Sequence, residues 1–185
     1  NDLNPIRNLS QSIENEPELT FIARRANKPS VGTLRSIPQA DARLKSGGDL
    51  DFRNTTITGV DDDFVGTNQF EINMATTDYI DDSGLSNEKI WMDIKNNPGL
   101  AVVNAFLVPS RNNFEFELDR DEFKLDEVEG LYRENKTMDP VEVVVRDLKS
   151  DTTFQLTIVG VLDDFASQGI LPPGIFTSTR QLELQ

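Results

Sequence analysis

The chain has 185 residues, a net charge of -14, and neither Cys nor His. That length suits one large domain or two small subdomains sharing a core. The missing residue types exclude disulfides, thiol catalysis, Cys/His metal centres and imidazole acid–base chemistry, and the acidic balance disfavours nucleic acid and anionic lipid as partners.

Asn4 and Pro5 open a helix over residues 5–15: Asn caps, Pro presets φ, and Ile6, Leu9 and Ile13 fall on one face. Residues 19–25, with Thr20-Phe21-Ile22, read as a strand. Residues 27–39 hold Pro29, Gly32 and Pro38 and suggest a short strand between loops. Ser46-Gly47-Gly48-Asp49 is a turn; no Lys-Ser/Thr follows to make it a phosphate loop. Residues 52–60 form the next strand, and Phe70, Ile72, Met74 and Tyr79 alternate inward in the mixed stretch after it. Asp81-Asp82-Ser83-Gly84 is a further turn. Ser86 caps a helix over residues 87–96, with Ile90, Trp91 and Ile94 as its apolar stripe and Asn97-Pro98-Gly99 as its stop. At that spacing Trp91, the only Trp, belongs to the core rather than to a ligand platform.

Residues 100–108 are apolar apart from Asn104 and predict a strand buried on both faces. They are too few for a membrane helix, which needs about 20 residues. Phe114-Glu115-Phe116-Glu117-Leu118 alternates as a half-exposed strand. Residues 119–129 are dense in charge; Asp119-Arg120-Asp121-Glu122 lacks the turn Gly of a calcium loop and reads as solvated surface. Residues 126–132 suggest a short helix or an irregular crossover. Residues 141–145 and 153–161 pair as a hairpin around the turn at 147–151. A Pro-rich connector over 169–174 leads to a strand over 175–178, and Thr179 caps a final helix.

One eight-residue word occurs twice. Ile57-Thr58-Gly59-Val60-Asp61-Asp62-Asp63-Phe64 returns as Ile158-Val159-Gly160-Val161-Leu162-Asp163-Asp164-Phe165, with six of the eight positions identical. Each copy follows a β-branched run, so each reads as a strand ending in an acidic turn. Three adjacent carboxylates cannot all reach one ion from a regular element, and a solvated, helix-starting turn is expected. Either similar strand ends arise here by chance, or the word marks two related strand-to-turn units at equivalent places in one architecture.

No residue stands out as catalytic, cofactor-binding or metal-ligating, so each of these site sets is expected to be empty. Carboxylates are plentiful, but a two-carboxylate glycosidase pair cannot be read from sequence. Asn-x-Ser/Thr sites stand at Asn8, Asn54 and Asn135; in a bacterial chain they would carry no glycosylation meaning. The ends, Asn1-Asp2-Leu3 and Leu184-Gln185, read as those of a piece excised from a longer protein.

The order of several segments resembles the extracytoplasmic (periplasmic core) domain of MacB/FtsX-like ABC-transporter permeases. The segments are Leu3-Asn4-Pro5-Ile6-Arg7-Asn8-Leu9, Thr58-Gly59-Val60-Asp61-Asp62-Asp63-Phe64, Asn97-Pro98-Gly99-Leu100-Ala101-Val102-Val103, Thr157-Ile158-Val159-Gly160-Val161-Leu162-Asp163 and Ile175-Phe176-Thr177-Ser178. The resemblance implies an α+β fold: a small α/β subdomain from both chain ends, residues 1–28 plus 165–185, carrying an inserted β-rich subdomain, residues 29–164. It also implies a place on the outer side of the bacterial cytoplasmic membrane. The parent would be a homodimer, working with an ABC ATPase subunit or domain through its membrane helices and meeting an external substrate or protein partner. The chain holds no Walker motif, so the domain itself is expected to be no enzyme and to need no cofactor. It would couple ATP-driven helix motion to that external partner. The alternative is a secreted or cell-surface acidic binding module for a cation or a carbohydrate.

Overall fold

The computed structural model describes residues 18–25, 28–48, 51–61, 64–65, 70–111, 121–163 and 173–183. The helix expected over 5–15 and the strand expected over 114–118 lie outside them. Eleven strands and two short α-helices are present among the described residues.

Six strands close into a barrel: β2 (Lys28–Leu44), β3 (Arg53–Val60), β11 (Ile175–Ser178), β7 (Leu100–Val103), β10 (Thr152–Leu162) and β9 (Val141–Asp147), which returns to β2. Two pairs are parallel, β3 with β11 and β10 with β7; the other four are antiparallel. β1 (Glu18–Arg25) pairs with the first half of β2. β4 (Ile72–Thr76) adds to the end of β10, and β8 (Thr137–Met138) adds to β4. β5 (Ile80–Asp81) and β6 (Gly84–Leu85) make a small separate hairpin.

This corrects the expected α+β architecture. β11, assigned to an α/β subdomain at the chain ends, is a stave of the barrel wall between β3 and β7. β2 is one strand of 17 residues where a short one between loops was expected. Pro29 pairs with Arg24 beyond the barrel wall, and Pro38 falls in a bulge between Ile37 and Ala40. Both are positions where a missing N–H is tolerated. β7 stops at Val103 instead of running to residue 108, because the Asn104 side chain accepts from the Phe106 N–H at 3.0 Å and caps a 3-10 turn, Ala105–Leu107.

The ring has a near two-fold symmetry. Exchanging β2, β3 and β7 with β9, β10 and β11 reproduces the pairing. On one side Ala42 lies opposite Val145; on the other, Phe176 opposite Val102 and Thr177 opposite Ala101 straddle the axis. Gly59 opposite Thr177 then corresponds to Gly160 opposite Val102. The repeated word thus marks equivalent strands of the two halves.

The wall separates two apolar layers. The interior cluster includes Ala42, Ile57, Ala101, Val143, Val145, Leu156, Ile158 and Ile175, all at most 1 % exposed. A second cluster lies between the wall and α1 (Asn87–Asn96), where Ile90, Trp91 and Ile94 are fully buried against Val102, Val159 and Phe176. Trp91 Nε1 donates to the Phe70 carbonyl at 2.9 Å, which satisfies its polar atom inside an apolar layer. Phe64 meets Phe70 and Trp91 edge to face at 5.1 and 5.5 Å. Ser86 accepts from the Lys89 N–H, so α1 begins at the cap its sequence signals. α2 (Thr179–Glu183) follows β11 directly and packs Leu182 on the barrel. No helix among the described residues is long and apolar enough to cross a membrane.

Candidate functional site

The two copies of the repeated word do not converge. β3 and β11 run parallel, as do β10 and β7, and β11 is antiparallel to β7. Asp61 and Asp163 therefore leave the barrel at opposite ends. Asp61 Oδ1 accepts from the Phe64 N–H at 2.7 Å, starting a helical turn. The Asp163 N–H donates to the Glu71 carbonyl at 2.9 Å. Asp62, Asp63 and Asp164 lie outside the described residues. Gly47 and Gly48 sit in a turn: the Gly47 N–H donates to the Leu44 carbonyl, and the Asp51 carboxylate accepts from Gly48. Asp121 and Glu122 belong to a backbone bridge with Asn54 rather than to an ion-binding loop. Among the described residues no group of three or more acidic side chains is placed to hold a metal ion.

Among the described residues a concave feature is built by residues 121–140, a strap that crosses the barrel between β7 and β9. Its fastening is explicit. The Phe123 N–H donates to the Asn54 carbonyl and the Leu125 N–H to the Leu107 carbonyl, both at 2.7 Å. Phe123, Leu125, Leu131 and Met138 anchor in the interior cluster. Arg53 reaches Asp126 at 3.1 Å and Glu127 at 2.8 Å. Arg133 Nε donates to the Val108 carbonyl at 2.7 Å, and its guanidinium stacks on Phe106. Glu134 accepts from the Ser110 hydroxyl at 2.6 Å, and that bond, helped by the Arg111 N–H, holds its carboxyl below the usual range.

Two cavities flank Val128 of the strap. One, of about 500 Å³, lies between the strap and the ends of β2 and β9, with Leu44, Pro140 and Val141 as its apolar lining and the Lys45–Glu142 ion pair at 2.8 Å on its rim. The other, of about 200 Å³, is lined by Leu131, Met138, Thr137 and the carboxylates Glu129 and Asp139. Glu127 is engaged by Arg53, whereas Glu129 and Asp139 are exposed and make no ion pair among the described residues. An apolar floor with a carboxylate rim suits an extended segment bearing cationic heads on aliphatic stems. The sequence reading took this acidic stretch as solvated surface. The signal for the strap was the recurrence of Leu125, Val128 and Leu131 within the charge; the groove draws on three separate segments and had no local signature.

A second polar cluster lies on the outer face of β2 and β9. The Phe52 ring is sandwiched between Arg43, at 5.0 Å, and Arg146, at 4.4 Å. Arg146 pairs with Asp41 at 2.7 Å. Arg43 and Arg146 are equivalent under the two-fold relation, one residue beyond Ala42 and Val145.

No protein-family model, curated protein or solved structure matches this chain.

Proposed function

We propose that the chain is a non-catalytic extracytoplasmic domain of an ABC-transporter permease of the MacB/FtsX-like kind, coupling membrane-helix motion to an external substrate or partner. The observation that carries the proposal is the order of the five resembling segments along the sequence. Four of them supply β3, β7, β10 and β11, which stand side by side in the wall as β3-β11-β7-β10. The α/β subdomain that the resemblance implied is not part of the support, since that architecture is absent. A closed barrel suits the role physically: with two apolar layers on its wall it moves as one body, and a lever must not absorb the motion it transmits.

The experiment is a hydropathy scan of the full-length gene product on both sides of the chain, joined to an ATPase assay of the purified domain. The expectation is one apolar helix of about 20 residues shortly before Asn1, several after Gln185, and no hydrolysis by the domain. Polar sequence on both sides, or hydrolysis by the pure domain, overturns the proposal.

A further inference from the structure

The smaller cavity, of about 200 Å³, brings an apolar floor and two carboxylates within one set of walls. Its floor is Leu131 and Met138, both buried, with Val128 beside them. Glu129 and Asp139 line the same cavity, both exposed and neither in an ion pair among the described residues. Thr77 and Thr137 add hydroxyl acceptors, and no Lys or Arg is among its described lining residues. The walls are held by hydrogen bonds from two sides. β8 pairs with β4 at Ala75–Thr137 and Thr76–Met138, and the parallel register leads on to Thr77 and Asp139. The Leu131 N–H donates to the Val128 carbonyl at 3.2 Å and Asn135 Nδ2 to the Gly130 carbonyl at 2.8 Å, which closes the turn that carries Glu129. The larger cavity lacks this combination, because its carboxylates, Glu127 and Glu142, are held by Arg53 and Lys45.

We propose that this cavity binds a small aliphatic diamine. Each feature of the cavity selects one part of the ligand. Two carboxylates with no cation between the walls call for two ammonium heads, since a single head would leave one of them unmatched. The Leu131, Met138 and Val128 floor calls for a methylene chain, and a hydrated metal ion offers none. Volume sets the length: sites for drug-sized ligands span about 300–1,000 Å³, so 200 Å³ admits a short chain. The chain's net charge of -14 draws such cations toward its surface. The inference stands on the cavity alone, independently of any membrane role.

Calorimetric titration of the whole chain with cadaverine at low ionic strength tests it. One-to-one binding is expected, weakened about tenfold by the double variant Glu129→Gln/Asp139→Asn and by roughly 0.5 M salt, where exposed charges are screened. The variant Glu88→Gln/Glu183→Gln removes two exposed carboxylates outside the cavity. It should bind as the wild type does, which separates a site from the general field of an acidic surface. Both variants should keep the wild-type circular dichroism spectrum and Tm. Pentylamine, with one head, should bind at least about threefold more weakly than cadaverine, and an equimolar amount of magnesium should not displace cadaverine. Absence of binding overturns the proposal, as does binding that survives loss of Glu129 and Asp139 or falls equally in both variants. Equal affinity for pentylamine, or displacement by magnesium, overturns it too.

Discussion

The two sides of the barrel wall are built from the same pleat and dressed in opposite ways. On one side β11 is buried at every residue and β7 at all but its first, because the interior lies on one face and α1 with Phe64 and Phe70 on the other. On the other side β9 alternates, with Val141, Val143 and Val145 buried and Glu142 exposed between them. There the outer face carries Asp41, Arg43 and Arg146 around Phe52. A strand covered twice is held by packing. One covered once is held by its interior face, and its outer polar pairs, wet and screened, add little.

The largest test of that contrast is Trp91→Ala, which empties the middle of the covered layer and orphans the Phe70 carbonyl. It should cost about 3–5 kcal/mol in urea unfolding, followed by circular dichroism because the variant loses the chain's only Trp. The next sharpens the comparison within the covered side. A Cβ on Gly59 would lie 2.8 Å from Leu182 Cδ1 and 3.0 Å from Thr179 Cα, whereas one on Gly160 would find its nearest atom, the Met74 carbonyl oxygen, at 3.2 Å. Gly59→Ala should fall near the upper end of the roughly 1–3 kcal/mol expected for overpacking, and Gly160→Ala near the lower end. Equal losses would mean that the two copies are packed alike. On the bare side, Phe52→Leu keeps apolar bulk but removes two cation–π contacts, and should cost about 0.5–1 kcal/mol each. A loss as large as that of Trp91→Ala would erase the distinction between the sides.

Smaller still is a titration at the border of the covered layer. The Tyr79 phenol is pushed up to about 12, first by burial and then by the nearby Asp93 carboxylate. Its folded-state value exceeds its unfolded one, so its contribution to stability is complete below pH 10 and is lost as the pH rises from 10 toward 12. Asp93→Asn should move the phenolate absorbance step to lower pH; an unmoved step would leave burial and the Asp78 carboxylate as the causes. The smallest effect belongs to calcium. Asp61 and Asp163 leave opposite ends of the barrel, so millimolar calcium should leave Tm unchanged, and a rise of several degrees would reopen the cation-binding alternative.

What the sequence disclosed was local. The hairpin of β9 and β10 was legible because alternation and a turn are short-range signals. α1 was legible because Ser86, an apolar stripe and Asn97-Pro98-Gly99 lie within one window. Barrel closure was hidden: the seam pairs Ala40 with Asp147 and Leu44 with Val143, which nothing nearby announces. Pro29 and Pro38 disguised β2 as fragments, and the apolar run after Gly99 concealed the cap at Asn104. The repeated word was visible, and its meaning as matching strands of two halves needed the register. The groove was illegible because β2, the strap and β9 meet only in three dimensions.

The position of β11 has a consequence for how the chain is made. β11 is the last of the six barrel strands to leave the ribosome, yet it lies between β3 and β7. Until it arrives, a growing chain holds two strand edges facing a gap, each able to capture an edge from a neighbouring chain. The barrel therefore closes only once β11 has been delivered, and the interval between translating β7 and delivering β11 is when its wall is most exposed to misassembly.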